Sequence, residues 1–147
     1  MERVILPNEV LLGEVALLLK EGREVVITPK GKSMIPFIRG EVDRVKLRYP
    51  DKLSVGDIVL AHFGGTYVMH RIVAINGNEV TLMGDGNLRD TEQGDRKDVV
   101  GVVVEIISPN KRHHKPGKAW LWRHTLFLRK YLLKVYRKWN KLTSKQL

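Results

Sequence analysis

Residues 57–83 read Asp-Ile-Val-Leu-Ala-His-Phe-Gly-Gly-Thr-Tyr-Val-Met-His-Arg-Ile-Val-Ala-Ile-Asn-Gly-Asn-Glu-Val-Thr-Leu-Met. Two strand-like runs, Asp57 to Phe63 and Thr66 to Ile75, meet at Gly64-Gly65, a two-residue hairpin signal. Asn76-Gly77-Asn78 then turns the chain into a third run, Glu79 to Met83. Strands spaced this closely by glycine and asparagine turns predict a small, mainly antiparallel β domain.

The pattern extends both ways. Upstream, Glu24 to Thr28 and Arg44 to Tyr49 read as strands, the latter alternating Val45, Leu47 and Tyr49 with basic residues. Downstream, a polar loop from Gly84 to Lys97 precedes the β-branched run Val99 to Ile107, where Gly101 marks a bulge. Pro7-Asn8-Glu9, with Asn8 as N-cap, opens a helix over 8–21. Its apolar residues fall at 11, 12, 15, 18 and 19, and Gly22 ends it. Pro109 and Pro116-Gly117 mark a linker, and Ala119 to Lys141 reads as a second helix. The expected parts are thus an N-terminal helix (1–23), a β domain (24–108), and a linker with a basic amphipathic helix (109–147).

The chain of 147 residues has no cysteine, which excludes disulfides, thiolate catalysis and Cys-based metal sites. No run approaches the roughly 18–20 apolar residues of a membrane span. The apolar patch Val15 to Leu19 is bounded by Glu14 and Lys20 and lacks a basic leader, so no signal peptide is expected. Charge is strongly asymmetric. Residues 1–110 hold 14 Lys and Arg against 16 Asp and Glu, a net of −2, whereas residues 111–147 hold 12 basic residues and no acid, a net of +12. Such asymmetry points to a separately acting segment.

Two short strings carry candidate chemistry: Gly31-Lys32-Ser33-Met34-Ile35-Pro36 and His70-Arg71-Ile72. A serine hydroxyl must be deprotonated as it attacks, and a histidine from another strand can take that proton. Alternation places Val68, His70 and Ile72 on one strand face, and Met69 and Arg71 on the other. Taken singly, His70 reads as a hydrogen-bonded core histidine and Ser33 as a turn serine. An aspartate can orient an imidazole, and the 84–90 loop offers Asp85 and Asp90, although such residues also suit a surface turn. With Asp95 and Asp98 this loop does not follow EF-hand ligand spacing, and His113-His114 is too short for a metal site, so neither a metal nor another cofactor is expected.

Gly-Lys-Ser-Met-Ile-Pro at 31–36, Gly-Asp-Ile-Val at 56–59, His-Arg-Ile-Val at 70–73 and Met-Gly-Asp-Gly-Asn at 83–87 resemble, in order, the successive boxes of type I signal peptidases. The fold of that family also serves LexA-type self-cleaving repressors, and Asp98-Val99-Val100-Gly101 is similar to its final segment. The resemblance covers about residues 24–107. It implies a serine peptidase with Ser33 as nucleophile. Bacterial members use lysine as base, whereas His70 here is similar to the base of the archaeal and endoplasmic-reticulum enzymes. Asp85, in the Gly-Asp box, or Asp90, the later aspartate, would be the acidic partner. The Ser33 N–H would be an oxyanion donor, with Met34 and Pro36 beside the substrate. The chain departs from the family at Gly31, where a hydroxyl residue often supplies a second oxyanion donor. It also lacks the usual membrane-spanning anchor, and the stretch before Ser33 is too short for the DNA-binding domain of LexA-type proteins. The expected partner is an extended peptide or protein segment, with a non-catalytic peptide-binding module of the same fold as the alternative.

In the tail, apolar residues at 120, 121, 128, 131, 132, 135 and 139 trace a helical stripe, with Trp122, Leu126 and Leu133 beside it. Arg123, Lys130, Lys134, Arg137 and Lys141 gather opposite. A basic helix with tryptophan and leucine on one face reads as an in-plane anchor on an anionic membrane. The contacts expected there are Trp120, Trp122, Arg129, Lys130, Lys134, Arg137 and Lys138. This implies a peripheral membrane protein, with a cytoplasmic protein as the alternative. The rival partner is nucleic acid, whose phosphates the same charge suits.

Overall fold

The computed structural model describes residues 4–5, 9–110, 112–124 and 126–144. Asn8, the expected N-cap, lies outside these, as do the side chains of Leu121 and Leu126. Among the described residues nine strands form one curled half-barrel sheet: β1 (Val4–Ile5), β2 (Val25–Ile27), β3 (Arg44–Arg48), β4 (Ile58–Phe63), β5 (Thr66–Asn76), β6 (Glu79–Met83), β7 (Glu92–Asp95), β8 (Val99–Ile107) and β9 (His113–His114). The order is β1-β2-β3-β8-β4-β5-β6-β7, with β9 on the end of β8. Every described pairing is antiparallel except β1 on β2. The helices are α1 (Glu9–Lys20), α2 (Trp120–His124) and α3 (Leu126–Ser144). The architecture is therefore the expected mainly antiparallel β domain with an N-terminal and a C-terminal helix.

The β4–β5 hairpin turns at Gly64-Gly65, with Phe63 opposite Thr66. Alternation along β4 feeds two cores. Ile58 and Leu60 join Leu12, Val15 and Leu19 of α1, while Val59, Ala61 and Phe63 join Ile72, Val80 and Leu82. Gly22, at φ +90°, stops α1, and its N–H bonds the Leu19 carbonyl at 2.9 Å. The expected irregularity in β8 is present: the register against β4 shifts between Leu60, opposite Gly101, and Ala61, opposite Val99. A Cβ at Gly101 would lie 2.8 Å from Leu19 Cδ1, so the glycine lets α1 sit close to the sheet.

Two strands lie where the sequence reads as loop or linker. β7 pairs with β6 inside the polar 84–97 stretch, Glu92 opposite Leu82. Glu-Gln-Gly-Asp has no apolar alternation, and pairing with the β6 edge makes it a strand. A Cβ at Gly94 would lie 2.4 Å from the Phe63 ring, so only glycine allows this edge to fold over that core residue. β9 pairs His113 with Ile107 and His114 with Ile106. Among the described residues no helix is long and apolar enough to cross a membrane.

Candidate active site

Ser33 sits in a tight turn between β2 and β3. The Glu41 N–H closes the base of the turn on the Pro29 carbonyl at 2.7 Å, and the Phe37 and Ile38 N–H groups both bond the Met34 carbonyl at 2.9 Å. Buried Met34 and Ile38 pin the turn to the core. Arg39 donates to Asp43 through its backbone (2.8 Å), Nε (3.2 Å) and Nη2 (3.0 Å). Gly31 has φ +86°, a conformation costly for other residues, which accounts for glycine where a hydroxyl residue is expected. Gly40 presses on it, since a Cβ there would come 1.9 Å from the Gly31 carbonyl oxygen.

The 84–87 turn is stacked on the serine turn. The Gly86 N–H donates to the Ser33 carbonyl at 2.7 Å. A Cβ at Gly84 would lie 2.5 Å from that same oxygen, and one at Gly86 would lie 2.7 Å from the Lys32 carbonyl. The glycines of the Gly-Asp-Gly string are therefore required by this close approach.

Ser33 and His70 line one cleft of about 200 Å³, together with Gly31, Met34, Tyr67 and Val68. His70 is buried on β5 opposite Val59. Its Nδ1 is hydrogen-bonded to Glu92 Oε1. A carboxylate only accepts, so Nδ1 carries the proton and Nε2 is the nitrogen left to act as base. The structure shows no hydrogen bond between Ser33 Oγ and the His70 ring. Nucleophile–base contacts are often loose without substrate and tighten in its presence.

Neither expected aspartate holds the histidine. Asp85 is buried and engaged on both oxygens by Arg71, Nε to Oδ1 at 2.8 Å and Nη2 to Oδ2 at 2.7 Å. Arg71 also donates to the carbonyls of Gly56 (2.8 Å) and Gly117 (3.0 Å). Asp90 is exposed, and among the described residues the polar partner of the His70 ring is Glu92 instead. Glu92 takes the place assigned to them. Sequence reading misses it because β7 is not recognisable as a strand, and only its pairing with β6 brings position 92 to the histidine. Pro36 follows a cis peptide in the serine turn but does not line the cleft, whereas Met34 does.

The edge of β5 beside the cleft is open. β4 pairs with residues 66–71 on one side, but pairing with β6 on the other side starts only at Arg71. Backbone groups of residues 66–70 thus face away from β4 without a strand partner among the described residues, next to Ser33.

The tail docks on this assembly. The Trp122 indole N–H donates to the Asp85 carbonyl at 2.9 Å, and its ring meets Phe37 edge-on at 5.8 Å. Arg129 lies over the Trp122 ring at 5.1 Å and bonds the Asn87 carbonyl at 3.0 Å and the Trp122 carbonyl at 3.2 Å. Trp122 and Arg129, expected on a membrane or anion surface, are therefore turned into the protein. Trp120, Lys130, Lys134, Arg137 and Lys138 are exposed, as are the stripe residues Leu128, Tyr131, Leu132, Val135 and Trp139. Leu133, beside the stripe, is buried. No metal-binding cluster of His, Asp and Glu occurs among the described residues. No protein-family model and no curated protein matches the chain.

Proposed function

We propose that this chain is a serine endopeptidase similar to signal peptidases of the Ser–His type. The observation that carries this reading is the shared cleft of Ser33 and His70, with the imidazole tautomer set by Glu92. Ser33 Oγ attacks the peptide carbonyl while His70 Nε2 takes its proton. The proton then passes to the leaving amine, and a water activated by the same nitrogen hydrolyses the acyl-enzyme. The Ser33 N–H has no hydrogen-bond partner among the described residues, which leaves it available to the oxyanion. The open edge of β5 at 66–70 suits an extended substrate that adds a strand beside the nucleophile.

Incubation with extended peptides, read by mass spectrometry, tests the reading. Cleavage should fall by about 10³-fold or more in both Ser33→Ala and His70→Ala. Peptide binding without cleavage in the unmodified chain would favour the second reading, a peptide-binding module, which Gly31 supports by removing the second oxyanion donor.

The exposed stripe from Leu128 to Trp139, flanked by Lys130, Lys134, Arg137 and Lys138, supports peripheral attachment to an anionic membrane. Pelleting with anionic liposomes should be lost in Leu132→Glu with Val135→Glu. A salt-dependent gel shift with nucleic acid, without liposome binding, would overturn this attachment.

A further inference from the structure

A second cleft, of about 360 Å³, opens between the 88–91 loop and the start of the C-terminal helices. Its charged lining is entirely cationic or titratable to cationic: Arg89, Arg123, His124 and Arg129, with the Thr91 hydroxyl beside them. Among the described residues no carboxylate lines it.

Arg129 is the unusual member. It is 98% buried, yet none of its described hydrogen bonds goes to a carboxylate. Its Nη1 reaches the Asn87 carbonyl and Met83 Sδ, its Nη2 reaches the Trp122 carbonyl, and its Nε has no partner among the described residues. A buried guanidinium normally pairs with an anion, because its desolvation is otherwise uncompensated. Burial pulls the Arg129 pKa down; the charge of Asp85 acts the other way, but Arg71 already occupies both Asp85 oxygens. The other cations have capacity to spare. Among the described residues, Arg123 commits only Nε, to the Lys118 carbonyl at 2.8 Å, and His124 only Nδ1, to the Trp120 carbonyl at 2.8 Å. Arg89 is exposed.

We propose that this cleft binds a phosphate-bearing anion, either free or as the headgroup of an anionic lipid. Several guanidinium groups around one cavity match the tetrahedral, multiply accepting oxygens of phosphate. The site begins where the exposed apolar stripe of α3 begins, so a headgroup could enter it from a surface on which the helix lies. The inference rests on the buried Arg129, which has no carboxylate partner among the described residues, and on its cationic neighbours, and it is independent of the peptidase reading.

The test uses the full chain and two probes at constant ionic strength: inorganic phosphate by titration calorimetry, and phosphatidylcholine vesicles with and without phosphatidic acid. Arg89→Gln with Arg123→Gln removes two cleft charges at accessible positions. Lys20→Gln with Lys52→Gln removes the same charge at exposed positions outside both the cleft and the tail. Saturable binding that weakens about tenfold or more in the arginine pair, but not in the lysine pair, is expected. If inorganic phosphate shows this pattern, the site takes the free anion. If only the phosphatidic acid vesicles show it, the site takes a lipid headgroup. Equal weakening in both pairs, or no saturable binding of either probe, overturns the proposal.

Discussion

Arg71 holds both carboxylate oxygens of Asp85, at 2.8 and 2.7 Å, with both side chains buried. The pair joins the two halves of the candidate site. Arg71 follows His70 on β5, and Asp85 precedes Gly86, whose N–H holds the Ser33 carbonyl. Replacing Asp85 by Asn strands a buried guanidinium, so Asp85→Asn should lose about 3–5 kcal/mol in urea unfolding. Asp90→Ala, at an exposed position, should stay within about 0.5 kcal/mol. Wild-type stability in Asp85→Asn would show that the pair is not what fixes the two turns together.

Glu92 fixes the tautomer of His70 from β7, the edge strand paired with β6. Under the proposed peptidase function, Glu92→Gln should lower kcat by about 10³–10⁴-fold, because the amide no longer selects the Nδ1–H form. KM should move little, since the open edge of β5 is untouched. A variant that cleaves at the wild-type rate would remove Glu92 from the site.

The difference between Asp85 and Glu92 shows which parts of this protein its sequence reveals. The β4–β5 hairpin is legible because period-two alternation and Gly64-Gly65 are local signals. The meeting of Ser33 with His70 in one cleft has no local signal and is implied only by the resemblance of the ordered strings. Glu92 is hidden because Glu92-Gln93-Gly94-Asp95 carries no alternation and becomes a strand only through the edge of β6. The tail shows the same limit. Helical spacing identifies the apolar stripe, but cannot tell that the flank bearing Arg129 and Leu133 is buried while the stripe itself faces outward. Trp122, read as a lipid contact, is a donor to Asp85 for that reason.

Gly31 separates backbone strain from chemistry. Its φ of +86° penalises any side chain, although a Cβ there would meet nothing within 4 Å. Gly31→Ala and Gly31→Ser should each lose about 1–2 kcal/mol of stability. Under the proposed peptidase function, if the missing hydroxyl limits oxyanion binding, Gly31→Ser should cleave peptides about tenfold or more faster than Gly31→Ala, within the range such donors contribute. Equal rates would mean that the oxyanion is held by backbone donors alone.

The β8–β9 junction should make stability acid-sensitive. The hydrogen bond from His113 holds the Glu105 carboxyl below its usual pKa, with Lys46 Nζ adding its charge from 3.5 Å. A carboxyl depressed in the folded state stabilises above its unfolded value, about 4.3, and that contribution is lost as pH falls through the folded value. The thermal midpoint should therefore drop as pH falls below about 4.3, and less steeply in Glu105→Gln. Parallel profiles for the two proteins would exclude this junction as a source of the acid sensitivity.

Trp122 links the tail to the turns around Ser33 through one hydrogen bond. Its indole N–H holds the Asp85 carbonyl at 2.9 Å, one residue before the Gly86 N–H that holds Ser33 at 2.7 Å. Phenylalanine keeps an aromatic face for Phe37 and Arg129 but leaves the Asp85 carbonyl without its donor. Trp122→Phe should lose about 1–3 kcal/mol, the cost of a buried acceptor left unpaired. The amide of Gly86 should then exchange its hydrogen faster, because the turn that presents it is held at one point fewer. Trp120→Phe, at an exposed position that contacts only His124 among the described rings, should change neither quantity. Unchanged Gly86 exchange in Trp122→Phe would show that the tail is docked on the site without steadying it.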